Sequence, residues 1–447
     1  MFTKPKAVLT MLVLLLLFLV SAGGAFADGH CEFADEPIVI GGIAPLSPPG
    51  ATGAGVVIDW AYQQAAADIN AECGIDIAGV NHRLEVLTGD SEGISERGQA
   101  LAERWIFEDG VHGVVGGYHS AVALAMMKIT QENGIPTVFA GPWNDNITAN
   151  GIIEFEGRPP RIEDGVDYIF RTSPANAMVA VVAVDWMIGL GLEDVIIMTE
   201  NTDYGIPAAD DEKMRLEAAG IAVEIYSVEL GTEDFVPILS RVQARTEPPD
   251  AIHVLVTGET GFNLNQQMAE LGIAPSDNTI CIAESFASDS GQFWPAVPDG
   301  NYCAFVRYGA TPALFNDIAE RLFADYREDW SEAGVLPPFA MEPYDSVHLL
   351  AQAMDIADSY DDGAAIVAAL ETIDTVVSQG RYYFDYGSHN PDLPEGTPTY
   401  MWHQWPDPIV VIMQYFEQGQ DALDAAVIYP PVYQTHGTDY IMPGTSP

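Results

Sequence analysis

The sequence predicts an α/β protein of two similar units, each built on a mostly parallel sheet with helices on both faces. Short apolar runs alternate with segments of helical period, as in parallel β-α units. The alternation starts afresh after the segment YIFRTSPAN, residues 168–176. A chain of 447 residues with 48% hydrophobic content is long and apolar enough for two cores.

The first unit opens with the apolar strand PIVIGGIAPL and the loop Ser47–Gly55, which leads into a helix that ends at Cys73-Gly74. Glycine is a common residue just past the end of a helix. The predicted strands are residues 37–46, 83–90, 111–117 and 136–141, and the predicted helices are residues 56–72, 95–109 and 120–134.

The second unit repeats the alternation of strands and helices. Its strand DVIIMTE leads through a turn that contains Tyr204 into a helix, which Gly220 should close. The other predicted helices are residues 177–191, 235–245 and 263–272, and the predicted strands are residues 194–200, 222–229, 251–258 and 279–284.

The pattern changes after Cys303. Amphipathic helices are predicted at residues 312–330, 343–360 and 364–373, and antiparallel strands at 380–387, 399–405 and 408–416, before a Pro-rich tail. Late helices of this kind can complete the first unit, so the chain is expected to cross between the units more than once.

The charge is strongly acidic. The chain has 17 Lys+Arg against 65 Asp+Glu, a formal net charge of −48. Binding driven by phosphate contacts needs a basic face, so a nucleic-acid partner is excluded, and adhesion to anionic lipid is disfavoured. The acidity either attracts cationic ligands or forms a solvated carboxylate surface suited to high salt. We favour the second explanation, because salt screens the self-repulsion.

This explanation predicts salt-dependent stability. Molar salt should raise the melting temperature above its value in dilute buffer, because screening relieves repulsion among the surface carboxylates. A thermal melt at increasing NaCl checks this, and a melting temperature that does not change with salt would contradict the high-salt interpretation.

The N-terminus has the pattern of a secretory signal peptide. Lys4 and Lys6 precede the apolar stretch AVLTMLVLLLLFLV, and small residues with AFA follow at Ala25–Ala27. A basic region, an apolar region and a small-residue cleavage site define such a peptide, here residues 1–27. The alternative is an uncleaved anchor, although the run is short for a membrane span. Either way, the mature protein is expected outside the cytoplasmic membrane, in the periplasm or beyond it.

That compartment is oxidising, so the four cysteines are expected in disulfides and not in metal sites. Four cysteines allow three pairings. We favour Cys281–Cys303, which lie in two apolar pieces expected to be neighbouring strands, together with Cys31–Cys73.

Enzymatic motifs are missing from the sequence. The glycine-rich loop Gly50–Gly55 follows a strand, but its spacing is not that of a dinucleotide-binding turn. There is no Walker lysine, no G-x-S-x-G and no H-E-x-x-H, so we expect no catalytic residues, no cofactor and no metal. A hydrolase and a sensory ligand-binding protein are the alternatives from other classes.

Six segments occur in this order along the chain: VIGGIAPLSPPGATGAG, GVHGVVGGYHSAVALAM, YIFRTSPAN, NTDYGIPAADDEKMRLEAAGIAV, TEDFVPILSRVQARTEPPDAIHV and PYDSVHLLAQAM. Together they resemble segments of the solute-binding proteins of branched-chain amino-acid and amide ABC transporters, which are type I periplasmic binding proteins. The resemblance covers about Pro37 to Phe416.

This resemblance implies two Rossmann-like lobes joined by three crossovers near Phe170–Ser173, Phe305–Tyr308 and Ser378–Tyr382. Lobe 1 would comprise residues 36–171 and 306–378, lobe 2 residues 172–305 and 379–430, and the tail residues 431–447. It also implies that the protein binds a small polar solute without turnover and delivers it to a membrane permease. The expected ligand is an amino acid, branched-chain or otherwise apolar, and the alternative is an amide or urea-type solute.

Candidate ligand contacts follow the strands, because open parallel sheets bind ligands beyond the carboxyl ends of their strands. In lobe 1 these are His119 and Ser120 at a helix N-terminus, where free N–H groups favour a carboxylate, and Gly141 and Trp143 after the next strand. Ser120 could instead be only a helix cap. Trp143 departs from the small hydroxyl residue usual in the family, so the pocket has been reshaped.

In lobe 2 the candidates are Tyr204 and Glu284. The resemblance implies that Tyr204 lines the cleft, whereas the plainer interpretation is a turn aromatic that packs on Pro207. Glu284 ends the strand TICIA, and the resemblance places an ammonium-binding acid there. The plainer interpretation makes Glu284 one more solvated carboxylate.

Overall fold

The computed structural model describes residues 31–149, 166–330, 337–435 and 440–443. Residues 33–447 belong to one compact unit, and Met1–Glu32 form a separate one, of which only Cys31 and Glu32 are described. The predicted signal peptide lies outside the described residues. Within the described ranges, no helix combines the length and the hydropathy that crossing a bilayer requires.

Lobe 1 is the part of the chain built on a five-stranded parallel sheet. The strands are β1 (Ile38–Ala44), β4 (Leu84–Asp90), β5 (Val114–Gly116), β6 (Thr137–Phe139) and β7 (Ile169–Arg171), in the order β4-β1-β5-β6-β7. A small hairpin, β2 (Ile75–Ile77) and β3 (Val80–His82), separates β1 from β4 in the chain. The first helices are α1 (Thr52–Ala71), α2 (Ser95–Arg104), which continues as a π-helix at Trp105–Asp109, and α3 (Ser120–Glu132).

Lobe 2 is built on a seven-stranded sheet. Its first half comprises α4 (Asn176–Gly189), β8 (Asp194–Glu200), α5 (Gly205–Ala218), β9 (Ala222–Val228), α6 (Val236–Gln243), β10 (Ala251–Leu255) and α7 (Gly258–Glu270). Next come β11 (Ile280–Ala283), a 3-10 turn at Ser285–Ser288, α8 (Ser290–Ala296) and β12 (Ala304–Tyr308).

The remaining elements are shared between the lobes. Helices α9 (Asp317–Asp329), α10 (Pro338–Ala357) and α11 (Gly363–Glu371) and the hairpin β13 (Thr375–Val377) with β14 (Gly380–Tyr382) contribute to the core of lobe 1. Strands β15 (Val410–Gln414) and β16 (Ala426–Tyr429) pair antiparallel at the edge of the second sheet, whose order is β16-β15-β12-β11-β10-β8-β9. The chain therefore enters lobe 2 after β7, returns after β12 and enters lobe 2 again at β15.

The predicted fold class, two lobes with mostly parallel sheets and three passages between them, is confirmed. Both faces of each sheet are covered, as continuous apolar strands require. In β8, Ile196 and Met198 belong to one core cluster, whereas Val195 and Ile197 belong to the cluster on the opposite face.

Some predicted boundaries are wrong. Helix α1 begins at Thr52, inside the stretch that was predicted as a loop, and helix α7 begins at Gly258, which was predicted as the last residue of a strand. Glycines in the first turns of both helices serve close packing. A Cβ on Gly55 would lie 2.0 Å from the carbonyl oxygen of Pro45, and a Cβ on Gly261 would lie 2.5 Å from that of Val256.

The later part of the chain differs more. The predicted strand at residues 399–405 is a 3-10 turn at Thr399–Met401 followed by two isolated bridges, from Trp402 to Tyr386 and from Gln404 to Arg171. Strand β16 was not predicted. Tyr382 and Trp405 still belong to the core of lobe 1, so the third passage lies nearer β15 than the predicted Ser378–Tyr382. The other predicted lobe bounds remain a prediction.

The predicted disulfide Cys281–Cys303 is present, with the two Cα atoms 4.8 Å apart. It joins the neighbouring strands β11 and β12, since Cys303 immediately precedes β12. Cys31 and Cys73 are disulfide-bonded as well, and none of the four cysteines is free, as the predicted pairing requires.

Candidate functional site

A cavity lies between the two lobes, beyond the carboxyl ends of strands from both sheets. This is the position at which open parallel sheets bind ligands. The structure brings all six predicted ligand-contact residues together in its lining: His119, Ser120, Gly141, Trp143, Tyr204 and Glu284. Their role as ligand contacts remains a prediction.

The N-terminus of α3 forms part of the lobe 1 wall. Ser120 is the first residue of the helix, and its Oγ accepts a hydrogen bond from the backbone N–H of Asn144 at 3.2 Å. Ser120 is therefore not the helix cap. His119 holds that position, and its side chain makes no capping bond. The first N–H groups of a helix have no carbonyl partner within it, so this end of α3 suits a carboxylate.

The loop after β6 supplies the rest of this wall. A Cβ on Gly141 would lie 2.5 Å from the carbonyl oxygen of Gly117, so the close approach of the two loops requires glycine. Trp143 reaches towards lobe 2, where its ring meets that of Tyr204 at 5.9 Å and that of Tyr308 at 4.9 Å, both edge to face. The large side chain at this position thus joins the two lobes.

Tyr204 lies at the turn between β8 and α5, where it is the residue before the first helical one. Its ring packs on Trp143. The amide Nδ2 of Asn144 donates to the carbonyl oxygen of the neighbouring Asp203, which ties the lobe 1 loop to this turn. Among the described residues, the Tyr204 hydroxyl has no hydrogen-bond partner, although it is buried.

Glu284 follows β11 and is only 3% exposed, so it is not a solvated surface carboxylate. Its carboxylate accepts from the Ser285 hydroxyl at 2.7 Å and from the Phe286 N–H at 3.3 Å. Burial raises the pKa of Glu284 to about 7 against the opposing effect of these hydrogen bonds, and the nearby Glu200 carboxylate adds to the rise.

Glu200 is a second buried carboxylate in the lining, and the sequence reasoning missed it. It is 1% exposed and is the last residue of β8. Its position is therefore similar to that of Glu284, which comes directly after β11. The carboxylate oxygens of Glu200 accept from the Thr257 N–H and hydroxyl, both at 2.8 Å, and from the Thr202 hydroxyl at 2.7 Å. The signal was available, because MTE and IAE both place a glutamate where an apolar strand meets the cleft.

The described residues of the lining include aromatic rings but no positively charged side chain. Tyr118 and Tyr308, both missed from the sequence, join Trp143 and Tyr204. Burial lowers the pKa of His119 to about 4, so this imidazole is neutral at pH 7. None of the described lining residues is Lys or Arg. Nor do the described ranges contain a group of three or more His, Cys, Asp or Glu that could hold a metal ion.

The sequence matches the model of one protein family, described as periplasmic binding protein, over residues 37–402. The chain belongs to that family. The predicted resemblance to the solute-binding proteins of branched-chain amino-acid ABC transporters is thereby confirmed. A Leu/Ile/Val-binding protein homologue of Brucella suis is 25% identical over 398 residues, covering 87% of this chain and 96% of its own.

Solved structures of other periplasmic binding proteins share the fold. The branched-chain amino-acid transporter substrate-binding protein LivJ of Streptococcus pneumoniae, in complex with isoleucine, has a TM-score of 0.69 at 20% identity, covering 88% of this chain and 100% of its own. A Rhodopseudomonas palustris solute-binding protein in complex with 3,4-dihydroxybenzoic acid has a TM-score of 0.67 at 22% identity, covering 85% of this chain and 93% of its own. This periplasmic binding protein is therefore a solute-binding protein for transport, and its cavity is the candidate solute site.

Proposed function

We propose that this protein binds a small solute with a protonated amine, most simply an amino acid, and delivers it to the membrane permease of an ABC transporter. One observation carries the proposal: the N-terminus of α3 in lobe 1 and Glu284 in lobe 2 line the same cavity. The first can hold a carboxylate and the second an ammonium, so a zwitterion would connect the two lobes.

The electrostatics of the lining favour an amine over the other solute classes. A buried carboxylate is costly unless a cation pairs with it, and none of the described lining residues supplies one. An aromatic acid, such as the ligand of the R. palustris protein, would bring a further anion to Glu200 and Glu284. A neutral amide would leave both carboxylates without a counterion.

The transport role follows from the family. Closure of two lobes around a solute creates a surface that differs from the open form, which a membrane partner can recognise. We place the mature protein outside the cytoplasmic membrane, with the signal peptide at residues 1–27 removed, and we expect binding without turnover.

A thermal-shift screen against amino acids, amines, amides and aromatic acids tests the proposal. A ligand at a hundred times its dissociation constant should stabilise the protein by about 2.7 kcal/mol. Recovery of the ligand after incubation, with mass spectrometry as the measurement, checks that it is unchanged. Stabilisation by amides or aromatic acids, with none by any amine, would contradict the proposal.

A further inference from the structure

We infer that the ligand is a cationic amino acid, with a second ammonium or a guanidinium on its side chain. The inference rests on the proposed function and makes it narrower, since an apolar amino acid would satisfy only part of the cavity.

The first step is a count of charges. Glu200 and Glu284 are both buried, and no described lining residue is Lys or Arg. An apolar amino acid brings one ammonium and one carboxylate, so a single cation would face two glutamates while its own carboxylate rests on neutral N–H groups. A second cationic group on the ligand supplies the missing counterion, and buried charges require such pairing.

The second step concerns Glu200. Three hydrogen-bond donors, two from Thr257 and one from Thr202, point at its two oxygens. Hydrogen bonds of this kind stabilise the charged form of a carboxylate, against the burial that raises the pKa of Glu200. A carboxylate with three donors is held in one orientation, in which it can face a cation from the cavity.

The aromatic side chains are an independent observation that points to the same ligand. Trp143 stands edge to face with both Tyr204 and Tyr308, at interplanar angles of 75° and 84°, so the rings present faces in different directions. Faces of Trp and Tyr attract ammonium and guanidinium groups, most strongly where water is excluded. Tyr204 is 7% exposed, and its buried hydroxyl, which has no hydrogen-bond partner among the described residues, can accept a hydrogen bond from such a group.

Matched ligand pairs test the inference by calorimetry on the mature protein. Arginine and citrulline have nearly the same shape, but only arginine carries the side-chain charge, and lysine and norleucine form a second pair. We expect each cation to bind at least about 100-fold more tightly than its neutral partner, the scale of a lost buried charge pair.

Three variants locate the effect. Glu200→Gln should reduce the preference for arginine over citrulline about tenfold or more, whereas Glu284→Gln should weaken both ligands. Glu193→Gln is the matched control, because this exposed residue immediately precedes the strand that Glu200 ends, and the substitution should change the affinity for neither ligand. If Glu200→Gln does not fold, as judged by circular dichroism, the wild-type ligand pairs still decide.

The outcomes separate the two proposals. Citrulline, norleucine or leucine binding as tightly as arginine or lysine would overturn the cationic ligand and leave the amine-binding function standing. Binding of simple diamines as tightly as lysine would support the cationic ligand and contradict the carboxylate contact at α3. Failure of every amine, with stabilisation by a neutral or anionic solute, would overturn both.

Discussion

Glu284→Gln should weaken the binding of an amine ligand by about 2–5 kcal/mol, the cost of removing one partner of a buried charge pair. Glutamine keeps the shape of the side chain, and if its amide oxygen accepts from the Phe286 N–H, its NH2 group can donate to the Ser285 hydroxyl oxygen. The substitution therefore removes the charge and little else. Calorimetry with the best amine from the thermal-shift screen measures the loss.

The control for this prediction is Glu193→Gln, which makes the same change of charge at an exposed position. Its affinity should equal that of the wild type. If Glu284→Gln binds the amine as tightly as the wild type, Glu284 does not hold the ammonium, and the neutral amide becomes the better candidate ligand.

Glu284 should make the ligand-free protein less stable as the pH rises from about 5 to about 8. Burial raises the pKa of Glu284 from 4.5 to about 7, so between these values the folded protein binds more protons than the unfolded chain. The stability that Glu284 contributes is therefore fully present below the pKa of this group in the unfolded chain. It is lost as the pH rises through the pKa in the folded protein. The contribution of Glu284 is on the order of 3 kcal/mol.

Other groups near the cavity also titrate, so the useful measurement is a difference. The lining around Glu284 also contains Glu200, whose pKa burial raises, and His119, whose pKa burial lowers to about 4. Urea unfolding of the wild type and of Glu284→Gln at both pH values isolates the term that Glu284 contributes. The variant should be the more stable of the two at the higher pH.

Equal pH dependence in the two proteins would show that the charged carboxylate costs nothing in the empty cavity. A saturating amine ligand gives a second check. The cation favours the ionised form of Glu284. The affinity of the protein for the amine ligand should therefore rise with pH up to about 7. The ionised carboxylate would thus lower the stability of the ligand-free protein while it strengthens the binding of the ligand, as is common at functional sites.

The positions of elements were well predicted wherever periodicity alone decides them. Strand β8 has the predicted bounds, and Tyr204 and Glu284 lie at strand ends because parallel strands place their carboxyl ends at one edge. Helix starts were predicted late at α1 and α7. Glycine lowers helix propensity, and the sequence does not reveal that another backbone lies against it.

The site was predicted only in part for a related reason. A family resemblance indicates only the positions at which relatives contact their ligands. It indicated Glu284 but not Glu200, which lies at the carboxyl end of another strand. Tyr118 and Tyr308 were missed because an aromatic residue after a strand is ordinarily part of a core. Only the packing of one lobe against the other shows that their rings line a shared cavity.

The position of Trp143 has an optical consequence. Its indole is 5% exposed and packs against Tyr204 and Tyr308 of the opposite lobe. Separation of the lobes would bring water to the indole and shift its fluorescence to longer wavelength. The residue that departs from the usual small hydroxyl side chain therefore gives this protein an intrinsic emission signal for the movement of its two lobes, without an attached dye.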